Sequence, residues 1–174
     1  NVDGFEITNN TVHDVNNIGI VAIGFEDTAS SNDQARNGLI KGNTVYNITS
    51  FGNPAYGPAR SAGCIDVDGG AQIVIENNTA HNCDLGVELA SEHKNKFTSN
   101  ITLRNNLIYN NHQAGISIGG YDTQRGGTEN SVIVNNTLYN NTTQGDWGAE
   151  LYVQYNAQDN IVQNNIFFNA AGNF

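Results

Sequence analysis

Ile75-Glu76-Asn77-Asn78-Thr79-Ala80-His81-Asn82 is one copy of a pattern that returns six times along the chain. With the second turn residue as landmark, the copies stand at Asn10, Asn43, Asn78, Asn106, Asn136 and Asn165, spaced 33, 35, 28, 30 and 29 residues apart. Three residues before each landmark lies an aliphatic side chain: Ile7, Ile40, Ile75, Leu103, Ile133 and Val162. Three residues after it lies a ring: His13, Tyr46, His81, Tyr109, Tyr139 and Phe168. A polar residue follows every ring, from Asp14 through Asn47, Asn82, Asn110 and Asn140 to Asn169. A repeat near thirty residues is the mark of a solenoid.

A second block recurs between landmarks: Gly19-Ile20-Val21, Gly63-Cys64-Ile65-Asp66-Val67, Gly86-Val87-Glu88-Leu89, Gly115-Ile116-Ser117-Ile118 and, more loosely, Gly148 to Val153. These are short period-2 strands bounded by turns, with no 3.6-residue periodicity. The expected architecture is all-β, a right-handed parallel β-helix of about six coils in a single domain over residues 1–174, with insertions at about 25–37 and 48–62. Stacking sets equivalent residues roughly 4.8 Å apart, so the landmark amides should bond into a ladder. The rings should stack too, which makes His13 and His81 structural. The same requirement for Asn accounts for sequons such as Asn77-Asn78-Thr79 without glycosylation.

Composition narrows the function. The 174 residues carry 30 Asn, 19 Gly and 2 Pro, with 7 basic against 17 acidic side chains and a net charge of -10. That charge opposes nucleic-acid binding, which needs clustered cations. No apolar run is long enough to span a membrane. Two cysteines define no scaffold: Cys64 and Cys83 fall on consecutive coils, where a disulfide and two buried thiols are equally compatible with the spacing.

The coil Gly115-Ile116-Ser117-Ile118-Gly119-Gly120 and its Ile-x-x-Asn-Asn partners resemble the right-handed β-helix superfamily of pectate lyases and polygalacturonases. The resemblance covers essentially the whole chain but completes no catalytic signature. It implies a secreted or cell-surface protein that binds and cleaves an extended polysaccharide along its first-strand face, as lyase or hydrolase. A non-catalytic surface, adhesin or filament module is the alternative.

Aligning the outward position of the first strand gives Ala22, Asp66, Glu88, Ser117 and Tyr152. Asp66 and Glu88, with Glu92 and His93 beyond, are the candidate catalytic groups, because paired carboxyls serve as acid and base in glycoside hydrolysis. Asp66, Asp68 and Glu88 are also candidate ligands for Ca²⁺, which would bridge to an acidic polymer. In the lyase version a base such as Lys94 or Arg125 removes the proton beside a uronate. Lys94, Tyr121, Asp122 and Arg125 are the candidate substrate-binding residues. Trp147 is placed to wall the groove or to cover a loop. The insertions offer Glu26, Asp27, Arg36, Tyr56 and Arg60 to one end of it. Solvated acids on an exposed strand are the plain alternative for the carboxylates. The chain begins and ends inside a coil, so it is expected to be a piece of a longer protein or to associate end to end.

Overall fold

The structure, a computed structural model, describes residues 2–26, 30, 33–144 and 147–169. The first coil runs through β1 (Val2–Thr8), β2 (Thr11–Val15) and β3 (Ile20–Ile23); the second through β4 (Ala35–Lys41), β5 (Thr44–Ile48) and β6 (Gly63–Asp68). The third holds β7 (Ala71–Glu76), β8 (Thr79–His81) and β9 (Leu85–Ala90). The fourth adds a short strand, giving β10 (Phe97–Ser99), β11 (Thr102–Arg104), β12 (Leu107–Tyr109) and β13 (Ala114–Ile118). The fifth repeats that plan in β14 (Gly127–Glu129), β15 (Val132–Val134), β16 (Thr137–Tyr139) and β17 (Leu151–Val153), and β18 (Ala157–Gln158), β19 (Ile161–Gln163) and β20 (Ile166–Phe168) follow.

Every strand pairs in parallel with its counterparts on adjacent coils, making three sheets. One is β3-β6-β9-β13-β17, another β2-β5-β8-β12-β16-β20, and the third carries the strands that precede the Asn turns. The expected parallel β-helix is the fold observed. Ile40, Ile75, Leu103 and Ile133 lie wholly inside, stacked with Ile65, Val87 and Ile116 from the facing sheet.

The Asn-Asn pair divides two jobs between its members. Asn9, Asn77, Asn105, Asn135 and Asn164 take left-handed backbone, with φ from 56° to 58°, and Gly42 does so at 66° in the second coil. Asparagine tolerates that conformation better than other side chains. The second residue builds the ladder. The Nδ2 of Asn10, Asn43, Asn78, Asn106 and Asn136 each donates to the Oδ1 of the next landmark at 2.9–3.0 Å. In turn Asn43, Asn78 and Asn106 donate to the carbonyls of Ile7, Ile40 and Ile75 on the coil before. Asn78→Ala should therefore strip partners from a buried turn and cost about 2–3 kcal/mol, read as a lowered midpoint in urea.

Polar residues after the rings have the same backbone cause: Asp14, Asn47, Asn82, Asn110 and Asn140 sit at φ between 52° and 56°. Ahead of them, His13, Tyr46, His81 and Tyr109 stack with centroids 5.0, 5.1 and 4.7 Å apart. Glycine is the second residue of β9 and of β13 for lack of room. A Cβ on Gly86 would meet the Gly115 carbonyl oxygen at 2.5 Å, and one on Gly115 the Glu150 carbonyl oxygen at 2.6 Å. Cys64 and Cys83 are joined as a disulfide across consecutive coils, their Cα atoms 5.6 Å apart.

Candidate functional site

The sheet β3-β6-β9-β13-β17 presents its outer face to a groove of 630 Å³. Its register pairs Val21 with Asp66, Asp66 with Glu88, Glu88 with Ser117, and Ser117 with Tyr152. One member of the expected column is thereby corrected. Val21 is exposed and stands beside Asp66, whereas Ala22 is buried and pairs with Val67. A strand reverses face at every residue, so a one-residue misreading moves a side chain from groove to core.

Asp66, Asp68, Glu88 and Glu92 all line the groove, joined by Glu26 from the first insertion. Asp66 is only 6% exposed and its Oδ1 has no hydrogen-bond partner. Burial, then the neighbouring Glu88, Asp68 and Glu92, push its carboxyl far above the usual range. Glu88 is raised to about 8, by burial first and then by Asp68 and Glu92. Asp68 rises to about 6, chiefly through burial, although the Glu92 amide donates to its Oδ1 at 3.1 Å and partly offsets the rise. At neutral pH the cluster thus holds protonated and ionised carboxyls side by side.

These shifts bear on stability. The folded protein holds the Glu88 proton more tightly than the unfolded chain does, so this contribution is full below the ordinary value of 4.5 and is lost as pH climbs through about 8. Thermal midpoints should fall across that interval, and Glu88→Gln should flatten the slope.

The remaining expected residues divide between the groove and its supports. Tyr121 lines the groove, with Trp147 and Tyr152, whose rings lie 5.4 Å apart. Arg125 and Asp122 are not among the groove-lining residues: the Arg125 guanidinium lies over the Tyr121 ring, 4.7 Å from its centroid, and Asp122 Oδ1 accepts from the Gln124 and Arg125 amides at 2.7 and 3.0 Å. Arg125 also donates to the Glu92 carbonyl at 3.3 Å. His93 binds Glu26 Oε1 through Nε2 at 2.8 Å; that bond is the main reason its pKa is raised, with Asp68 and Glu92 adding to it. Lys94 is exposed and is not among the groove-lining residues. Neither Lys nor Arg occurs in the described lining.

Of the insertion residues, Glu26 and Tyr56 reach the groove, while Arg36 pairs with Asp3 at 3.1 Å on another sheet. Asp27 lies outside the described residues. For calcium, the unpaired Asp66 Oδ1 is a suitable spare acceptor. Yet among the described residues no three His, Cys, Asp or Glu side chains draw together as a ligand set, Asp66, Asp68 and Glu88 included.

A cluster that the sequence reading passed over braces the second insertion. Asp84, fully buried, accepts from the Ser50 amide at 2.7 Å, Thr49 Oγ1 at 2.8 Å, His112 Nδ1 at 2.9 Å and the Ala62 amide at 3.3 Å. Burial alone would raise this carboxyl, but these hydrogen bonds outweigh it and hold it below the usual range. The signal was present in the repeat: Thr49, Asp84 and His112 each stand six residues after a landmark. So was a second amide ladder, five residues after the landmark, where Asn111 Nδ2 donates to Asn141 Oδ1 at 2.7 Å.

The stacked parallel sheets and their repeat have a match among known families. The model of the right handed beta helix region matches residues 1–174. The chain belongs to that family. Its similarity to the YwoF protein of Bacillus subtilis (strain 168), described as uncharacterized, is 51% identity over 166 residues, covering 95% of this chain and 36% of that protein. Two solved structures from Azotobacter vinelandii are similar in fold. The A-module of mannuronan C-5 epimerase AlgE4 matches at TM-score 0.65 and 18% identity, over 93% of this chain and 35% of that one. The AlgE6 A-module matches at TM-score 0.56 and 16% identity, over 95% and 49%. The chain thus spans between a third and a half of the relatives it matches, and the right-handed β-helix is the shared feature.

Proposed function

We propose that this protein binds an extended polysaccharide along the sheet β3-β6-β9-β13-β17 and hydrolyses its glycosidic bonds with groove carboxyls. The observation that carries this reading is the pairing of Asp66 and Glu88 on adjacent coils, desolvated in a groove whose described lining holds no cation. A proton-abstracting lyase would need a base and a counter-charge for a uronate at that place. Acid–base hydrolysis needs carboxyls whose pKa values are driven apart. That the solved neighbours are named for an enzyme of mannuronan, a polysaccharide, is consistent with a glycan ligand.

In this mechanism the Asp66/Glu88 pair keeps a proton at neutral pH and donates it to the glycosidic oxygen. Asp68, with its pKa at about 6, is ionised there and takes a proton from the attacking water. Asp68 and Glu88 stand one coil and two residues apart, a diagonal that strand geometry sets at about 8 Å. Inverting enzymes keep their two carboxyls roughly 6.5–9.5 Å apart to leave space for a water, and this pair, whose Cα atoms stand on that diagonal, is the one proposed to do so. Tyr121, Trp147 and Tyr152 offer faces for sugar rings. The disulfide suits a secreted or cell-surface setting.

The test is a screen of neutral and acidic glycans for new reducing ends, with product anomers followed by NMR and with ultraviolet absorbance watched for unsaturated uronates. Inverted products, unaffected by a calcium chelator, are expected. Unsaturated products lost on chelation would instead establish a calcium-dependent lyase. Binding without turnover would make the protein a recognition module.

A further inference from the structure

The acidic groove does not end at its aromatic wall. Ser61 and Trp147 also line an adjoining compartment of 500 Å³, with Phe51, Arg60, Gln113 and Gln144. The described linings of the two compartments differ in charge. Among the described lining residues, the first has five carboxyl residues and no Lys or Arg, and the second has Arg60 and no acid.

Arg60 engages Thr49, Asp84 and His112 through one guanidinium nitrogen, Nη1. Its contact to Asp84 Oδ1 is 3.4 Å, longer than those Asp84 makes with Ser50, Thr49 and His112. Asp84 is fully buried beneath, while Arg60 keeps part of its side chain open. Phe51, with its ring centroid 4.5 Å from the guanidinium carbon, fixes one face of the group. A guanidinium so held presents a planar fork suited to carboxylate or sulfate oxygens.

Gln113 is the second, independent sign of a ligand. It is 2% exposed, lines the compartment, and leaves Oε1 without a partner. Buried amides are ordinarily satisfied. A flip of the amide about its last torsion exchanges Oε1 and Nε2, so a sugar hydroxyl meeting Gln113 finds either a donor or an acceptor. Trp147, 40% exposed, supplies a ring face at the junction.

We propose that this compartment seats a sugar unit bearing an anionic substituent, held by Arg60 and Gln113, next to a unit without charge in the carboxyl compartment. The inference rests on the polysaccharide reading and deepens it: the substrate is a heteroglycan in which neutral and anionic units are neighbours. A uniformly acidic chain would set its anions against Asp68 and Glu92, and a uniformly neutral one would leave Arg60 unused.

Trp147 is the chain's single tryptophan and lines both compartments, so its fluorescence reports on sugar at their junction and the Arg60 variant tells the two apart. Titration with D-glucuronate, with glucose 6-sulfate and with glucose is the experiment. Saturation by an anionic sugar at a concentration at least about tenfold below that for glucose is expected, and whichever of the two anions is preferred identifies the substituent. Arg60→Gln should erase the difference, and the doubly substituted D66N/E88Q protein should keep it, which separates this binding from hydrolysis. Rising salt should close the gap in the unaltered protein, testing the charge even where Arg60→Gln weakens the fold. Equal affinity for all three sugars, no saturable response, or a gap indifferent to salt would overturn the proposal.

Discussion

Replacing Asp66 by Asn and Glu88 by Gln together is expected to reduce kcat by about a thousandfold or more while the β-helix remains intact. General acid–base groups each contribute about 10²–10⁴ in rate, and the two carboxyls share the proton that the leaving oxygen requires. Both side chains stand on the outer face of their sheet, so nothing in the buried stack of Ile65, Val87 and Ile116 is disturbed. The amides keep the size of the carboxyls and, being neutral, escape both the burial cost and the repulsion that raise them. Stability at pH 8 should accordingly increase while turnover disappears, a pairing that simple unfolding cannot produce. In the unaltered protein kcat/KM should follow a bell, with limbs set by the ionisation of Asp68, near 6, and of the Asp66/Glu88 pair, near 8 for Glu88. Unchanged turnover in the double variant on a confirmed glycan would remove these residues from the mechanism.

The largest loss of stability should come from Asp84→Ala, at about 3–5 kcal/mol. That substitution empties a fully buried position and abandons the Ser50 and Ala62 amides, the Thr49 hydroxyl, His112 and Arg60 at once. Denaturant unfolding measures the loss directly. The effect reaches the groove, because the second insertion brings Tyr56 and Ser61 to its wall. Asp84 also shapes the acid limb. Its folded pKa is depressed, so its contribution is complete above the ordinary carboxyl range and disappears as pH falls through the folded value. Asp84→Asn should thus blunt acid unfolding even while it lowers stability at pH 7. Stability within about 0.5 kcal/mol of the unaltered protein would mean that the insertion is held by other contacts.

The contrast between Glu88 and Asp84 shows where reading the chain by itself runs out. Both belong to columns the repeat defines, and counting from the Asn landmarks places each beside its neighbours. Glu88 was found because a carboxylate beside Asp66 is chemically conspicuous. Asp84 was missed because Thr49 and His112, its neighbours, are unlike one another and unlike it. A column of identical residues announces itself, whereas a column of complementary ones does not. Val21 marks the other kind of limit, since a single residue of slippage in a period-2 strand exchanges groove for core.

The sequence by itself determined the parallel β-helix, its six Asn turns and the convergence of Asp66 and Glu88. Those features follow from local backbone preference and from a repeat in which like residues must stack. Tertiary structure alone decided that Cys64 and Cys83 are bonded, that His93 binds Glu26, and that the Arg125 guanidinium lies over the Tyr121 ring. It also decided that a compartment lined by Arg60 and Gln113 adjoins the acidic groove. These depend on where the insertions and loops fold back onto the stack, and no periodicity governs side chains that meet only once.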